Sequence, residues 1–414
     1  MRHYQIHPTS SETFSIAYEK ELNAAQLEAV LTLNGPVLCI AGAGSGKTRT
    51  LVYRAARMME SGIAPESILL LTFTRKAAGE MLARVAELCG GGVRRILGGT
   101  FHSFAGRVLR EFSGSLGLKD NFSILDEGDS GEIIQHLRTE MELNKRESRF
   151  PQKQTLREIL SKSINCGLTV PQLMERDYDH FLEHLNDVER LFAAFAEYKM
   201  AHSLLDFDDL LVFLRNLLRD KLDLQAVLND RYRYIMVDEY QDTNLLQAEI
   251  TTILGRKHRN VMVVGDDAQS IYSFRGANIR NILDFPRQFP ECRIVKLEEN
   301  YRSSASILSA SNALMKHAEE AFEKVLFTSR EPGELPALVP CRDEEEQSRF
   351  VAQRVLELRE QGTPLSDMVV LFRSGFHAFQ LELELKRRNI PYVKWGGFRF
   401  LEAAHVKDLL ALFR

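Results

Sequence analysis

One eight-residue stretch, Ala41-Gly42-Ala43-Gly44-Ser45-Gly46-Lys47-Thr48, constrains this chain more than any other. It follows an apolar run of β type, Val37-Leu38-Cys39-Ile40, and opens a run of helical spacing from Lys47 to about Met59. Glycines at such a junction free the backbone, so that its N–H groups turn inward on an anion held at the helix N-terminus. Lys47 is placed to reach the β- and γ-phosphates of a nucleoside triphosphate, and the Thr48 hydroxyl suits Mg²⁺. Ala41 stands where glycine is usual, a small-for-small exchange that leaves the loop plausible. The bland alternative is a Gly/Ala-rich turn before an ordinary helix. Strand, loop, Lys-Thr pair and helix together favour the phosphate reading.

The rest of the chain alternates around this loop. Ser67 to Phe73 and Arg94 to Phe101 read as strands, each followed by helical spacing, Lys76–Leu88 and Ser103–Phe112. Alternation of this kind implies a parallel sheet covered on both faces. From about Ser113 to Asn229 the apolar residues recur at helical spacing, as in Leu156, Ile159, Leu160 and Ile164, and this segment reads as a helical insertion. Strand character returns at Tyr234–Asp238 and Val261–Asp266. A further alternating region starts near Cys292 with Arg293–Leu297 and continues through Ala337–Pro340, a helix from Glu344 to about Glu360, and Met368–Arg373.

Composition sets limits. At 414 residues the chain has room for two or three domains, and a net charge of -4 excludes a bulk basic polyelectrolyte without excluding a local basic groove. The five cysteines are scattered, which suits a reducing, cytoplasmic setting, and no apolar run is long enough to predict a membrane span.

Chemistry gathers at three later points. Asp238-Glu239 closes a buried strand, where one carboxylate can bind Mg²⁺ and the next can polarise an attacking water. In Gly265-Asp266-Asp267-Ala268-Gln269, the amide of Gln269 could meet either the γ-phosphate or that water. Tyr272 and Phe274, two apart, share a face if extended; they either stack on bases or pack in the core, and spacing alone leaves both open. Arg302, in Asn300-Tyr301-Arg302-Ser303-Ser304, could reach a γ-phosphate as an arginine finger or serve as a surface residue beside a helix cap.

Taken in order, these motifs resemble those of superfamily 1A DNA helicases of the UvrD/Rep/PcrA type, over about Leu22 to Arg414. Leu22 to Val30 is similar to the family's adenine-reading motif, with Gln26 as the reading amide. Ala41 to Thr48, with Arg49 after it, resembles motif I; Leu71 to Ala78 resembles motif Ia; Gly99 to Phe104 resembles motif Ib. Asp238 to Asp242, Gly265 to Ala277, and Asn300 to Arg302 resemble motifs II, III and IV. The resemblance implies that the loop residues, Gln26, Arg49 and Tyr301 bind ATP, that Thr48 and Asp238 hold Mg²⁺, and that Glu239, Gln269 and Arg302 act on the γ-phosphate. It implies single-stranded DNA contacts at Thr72, Phe73, Arg75, Thr100, His102, Tyr272, Phe274 and Arg275. Arg75 stands where asparagine is common in motif Ia, and Phe274 where motif III usually has tryptophan.

The expected fold class is therefore α/β: a RecA-like P-loop sheet, a helical insertion and an incomplete second RecA-like domain. The expected domains are 1–108 with 230–298, an insertion 109–229, and 299–414 running into a further domain. The implied activity is ATP-dependent 3′→5′ movement on single-stranded DNA, with a 3′-tailed duplex as substrate, no membrane partner and the oligomeric state open. Motifs V and VI are not found, so weak hydrolysis without unwinding is expected of this chain alone. Two other readings stay open: the N-terminal part of a RecB/AddA-type helicase-nuclease, and an ATP-binding module that senses DNA without moving on it.

Overall fold

A computed structural model describes residues 16–89, 95–119, 121–143 and 149–395. Its centre is a six-stranded sheet built from β1 (Val37–Ala41), β2 (Ile68–Leu71), β3 (Leu97–Gly99), β6 (Tyr234–Val237), β7 (Val261–Gly265) and β8 (Arg293–Leu297), in the order β3-β2-β6-β7-β1-β8. The described pairings in it are all parallel. A parallel sheet must be covered on both faces, and the strand residues divide accordingly. Leu38, Ile40, Leu69, Leu71, Val237 and Val263 pack on one side with helices Phe101–Glu111, Phe207–Asp220 and Leu245–Gly255. Val37, Cys39, Ala41, Ile68, Leu70, Met236 and Val264 pack on the other with helices Ala24–Leu31 and Lys47–Glu60. The two-residue period of a strand thus supplies two cores from single apolar runs.

Within the second core lies a charge. Arg54, on helix Lys47–Glu60, is 1% exposed and donates to the carbonyls of Ala29 at 2.5 Å and Leu33 at 3.3 Å. Those carbonyls belong to the end of helix Ala24–Leu31 and the turn beyond it, where intrahelical partners run out. Burial pulls the Arg54 guanidinium down to about 10, which leaves it charged at neutral pH.

The alternating pattern runs Arg293–Leu297 (β8) together with the region that follows it, although the expected bounds keep it with residues 230–298. β8 closes the first sheet, pairing with β1 from Val37↔Arg293 to Ala41↔Leu297. As an edge strand it buries Val295 and Leu297 and exposes Ile294, so its pattern is alternating where the central strands are continuous.

The helical segment divides by its cores. Helices Glu127–Glu140, Lys153–Cys166, Val170–Asp177 and Leu185–His202 enclose Ile134, Leu156, Ile159, Leu173, Val188, Leu191 and Phe195. The later helices, Phe207–Asp220 and Leu222–Arg231, give Leu210, Leu214, Leu218 and Leu228 to the sheet's own core. A short parallel pair, β4 (Ser123–Ile124) with β5 (Leu204–Leu205), stands where the chain leaves and rejoins the sheet domain.

By contacts the chain forms two compact units, Met1–Leu335 and Pro336–Arg414. In the second, helices Glu344–Glu360 and Phe379–Arg387 meet through Ala352, Leu381, Leu385 and Ile390. The strands expected at Ala337–Pro340 and Met368–Arg373 are absent from the described residues, and Leu338 and Leu371 are exposed. An extended run becomes a strand only when a neighbour takes up its hydrogen bonds, and neither run meets one there. The part of the Pro391–Arg414 run beyond residue 395 lies outside the described residues.

Candidate active site

β1, β7 and β6 lie side by side, so the loops leaving their carboxyl ends converge, where open parallel sheets bind ligands. The loop after β1 turns through Gly44 and Gly46, at φ +77° and +87°, before helix Lys47–Glu60 begins. Those left-handed conformations favour glycine, and a Cβ on Gly44 would stand 2.7 Å from the Cβ of Arg302.

That crowding reflects how Asn300–Arg302 lies across the loop. The Asn300 amide donates to the Ala43 carbonyl, and Tyr301 N–H donates to the Gly44 carbonyl at 3.0 Å. The Asn300 Oδ1 accepts from the backbone N–H of Arg302 at 2.8 Å and Ser303 at 2.6 Å. The backbone of Arg302 is thereby fixed beside the loop, while its exposed guanidinium has no protein partner among the described residues. Asn300, 2% exposed, is the anchor that sequence reasoning left without a role.

Gln26 braces the loop from the other side. Its Nε2 donates to the Ser45 carbonyl at 3.0 Å, and its Oε1 accepts from Asn23 N–H at 3.3 Å as half of a capping box. Both ends of the amide expected to read adenine are engaged with protein here. Asn23 also donates to the Tyr301 hydroxyl at 2.9 Å, and Tyr301 keeps an exposed ring face beside it. Arg49 is held by Glu21 at 2.7 Å and lies 4.8 Å over the Tyr53 ring.

The carboxylates sit opposite. Lys47 Nζ contacts Glu239 Oε2 at 2.7 Å, and Glu239 adopts a left-handed φ of +50° that is uncommon for its residue type. Gln241 donates to the same Glu239 oxygen at 2.9 Å and accepts from Asp266 N–H at 3.0 Å, joining the ends of β6 and β7. Burial, and then the charge of Glu239, push the Asp238 carboxyl up to about 7 and the Asp242 carboxyl up to about 6. Asp238 Oδ1 is buried without a hydrogen-bond partner, and the Thr48 hydroxyl has none among the described residues. An orphaned buried oxygen on a carboxylate that feels the charge of Glu239 fits a divalent cation. Gln269 donates its amide to Asp266 Oδ2 at 2.6 Å.

A second group of residues lines a cleft of about 830 Å³ between the sheet domain and the helical insertion. Phe73, Tyr272 and Phe274 form a run of tilted rings with centroids 5.2 and 6.0 Å apart, and the Arg275 guanidinium lies 5.8 and 5.7 Å from the last two. Phe274 is 63% and Phe73 41% exposed, which answers the question that spacing left open: these rings are not core. Arg75 is exposed nearby in sequence, whereas Thr72 is buried and Thr100 uses its hydroxyl to cap helix Phe101–Glu111 through Ser103 N–H at 3.2 Å. His102 packs edge-on against Phe207, with centroids 5.7 Å apart. Phe207 was not singled out in the sequence, because a ring at the start of an amphipathic helix reads as core; it is 43% exposed and lines the cleft. Across the cleft floor, Asn165 of the insertion donates to Asp208 at 2.8 Å and accepts from Asn244 at 2.6 Å. No group of three or more metal-binding side chains occurs among the described residues, nor a helix long and apolar enough to cross a membrane.

A parallel α/β sheet with a phosphate loop after β1 and paired carboxylates after β6 defines a P-loop nucleotide-binding protein of RecA-like type. Comparison with known proteins narrows this. The UvrD/REP helicase N-terminal domain matches residues 22–290, and the UvrD-like helicase C-terminal domain matches residues 295–414. The chain belongs to the UvrD/REP helicase family. It is similar to an ATP-dependent DNA helicase PcrA of Staphylococcus epidermidis, at 35% identity over 96% of this chain and 54% of that protein. A PcrA of Staphylococcus aureus is 34% identical over 95% of this chain and 53% of its own length. The chain thus spans about half the length of the curated relatives it matches.

Proposed function

We propose that this chain is an ATP-hydrolysing DNA motor core of the 3′→5′ type that uses Mg²⁺ and acts in the cytoplasm on single-stranded DNA and 3′-tailed duplex. The observation that carries this reading is the junction at Asp266–Arg275, where one short segment leads from the end of β7, joined through Gln241 to Glu239, into the exposed rings. Thr48 and Asp238 would hold the cation, which screens phosphate charge when bound. Lys47 leaves Glu239 for the phosphates, and the freed carboxylate takes a proton from the attacking water. Arg302, anchored through Asn300, is free to reach the γ-phosphate. Phe73, Tyr272 and Phe274 stack on bases with little sequence preference, at about 1–3 kcal/mol per base.

The test is ATP turnover with and without an oligothymidylate. Glu239→Gln should keep nucleotide affinity and lose about 10²–10⁴ in rate, the usual worth of a general base. Lys47→Ala should weaken binding of a non-hydrolysable ATP analogue. Turnover that is indifferent to Glu239→Gln removes that residue from the chemistry.

A further inference from the structure

One buried lysine next to this site, Lys324, has no part in the reading above. Lys324 inserts its ammonium between Asp266 and Asp267, contacting Asp266 Oδ1 at 2.6 Å and Asp267 Oδ1. The lysine side chain is 6% exposed, the carboxylates 3% and 0%. Further donors complete both carboxylates. Asp267 Oδ2 accepts from Phe322 N–H at 3.0 Å, and Asp266 Oδ1 from Ala268 N–H at 3.1 Å. Asp266 Oδ2 accepts from Gln269 Nε2 at 2.6 Å. One carboxylate is thus shared, its first oxygen on Lys324 and its second on Gln269.

Two consequences follow from elementary chemistry. A carboxylate accepts hydrogen bonds, so the end of the Gln269 amide that meets Asp266 must be its NH₂ group. The free end is then Oε1, an acceptor, which among the described residues has no protein partner. An acceptor repels phosphate oxygens and welcomes a water proton. The second consequence concerns geometry. Val325 N–H donates to Glu298 at 2.7 Å, and Asn300 N–H donates to the Phe327 carbonyl at 2.7 Å, so the strand of chain carrying Lys324 lies along the one leading to Arg302.

Resting on the proposed hydrolytic function, we infer that Lys324 is a positioning residue: by clamping Asp266 it locks Gln269 with its acceptor oxygen free, so that Gln269 orients the attacking water instead of binding the γ-phosphate. In the step served, the water oxygen bonds to the γ-phosphorus as the bond to the β–γ bridging oxygen breaks, and the water proton passes to Glu239. Without Lys324, two adjacent buried carboxylates face each other unbalanced; one rotates or takes up a proton, and the Gln269 amide is free to turn over.

The experiment compares the parent chain with Lys324→Met, and with Lys324→Met/Asp267→Asn, which restores the buried charge count without restoring the lysine bond. Fluorescent ADP, ADP with aluminium fluoride, and a non-hydrolysable ATP analogue are titrated alongside turnover and melting temperature. Aluminium fluoride on ADP mimics the phosphoryl group with water in line. The expected result is a tenfold or greater loss of turnover and of the aluminium-fluoride gain in both variants. Affinities for ADP and the analogue should stay within about twofold, and the double variant should melt near the parent. Unchanged turnover and aluminium-fluoride gain overturn the inference alone. So does uniform loss of every affinity together with melting temperature in the single variant, if the double variant recovers them all. A parent that neither turns over ATP nor gains from aluminium fluoride overturns the hydrolytic reading and this inference with it.

Discussion

His102 shows how much a single side chain can report about the cleft. Burial first, and the nearby Arg75 charge second, pull its imidazole down to about 4 from an ordinary value of about 6.5. The folded chain therefore holds His102 neutral where the unfolded chain would protonate it. Its contribution to stability is complete above about pH 6.5 and is lost as pH falls from there toward about 4. His102→Phe keeps a ring against Phe207 and removes the titration. The melting temperature of the parent should drop more between pH 7.5 and 5 than that of the variant; parallel losses would show that the imidazole is not held neutral. At the phosphate loop, Asn300 shows the limits of reading residues singly. In the sequence it is one letter of a motif, and only in three dimensions does it meet Ala43, Arg302 and Ser303 at once.

Among elements, the central strands were legible because parallel strands buried on both faces leave continuous apolar runs, as at Val37–Ala41 and Val261–Gly265. The phosphate loop was legible because its chemistry is local. The pattern of β8 runs on into the following region because an edge strand carries a weaker, alternating signal, and Ala337–Pro340 was misread because apolar sequence cannot announce whether a partner strand is present. Pairings across long stretches of chain were invisible for a similar reason: nothing near Lys324 marks it as the counter-ion of Asp266 and Asp267. The ring ladder makes its own prediction at this scale. Phe274→Ala should weaken single-strand binding by about 1–3 kcal/mol with a nearly unchanged melting temperature, because the ring is mostly exposed. Fluorescence anisotropy on an oligothymidylate checks the affinity, and a large fall in melting temperature would return the ring to the core.

For the whole molecule, two compact units with separate cores predict two unfolding transitions. A non-hydrolysable ATP analogue at one hundred times its dissociation constant should stabilise the unit that holds the phosphate loop by about 2.7 kcal/mol. Its first effect should fall on the transition of Met1–Leu335. Scanning calorimetry checks this, and equal shifts in both transitions would mean that the units unfold as one. Hydrogen exchange gives finer detail: Tyr301 N–H, bonded to Gly44, should slow together with the loop.

The strand order carries a consequence for how the chain is made. β1, early in the sequence, has β7 and β8 as its neighbours among the described residues, so Val37 waits for Met262 and Arg293. At ribosomal rates of about 5–20 residues per second, the wait for Met262 is roughly 10–45 s. During it, the apolar run that ends in the phosphate loop has no ladder to join, although β2 and β3 can already pair. The segment on which the whole site depends thus waits far longer for a partner than β2 waits for β3, and is the one a nascent chain most needs shielded from other chains.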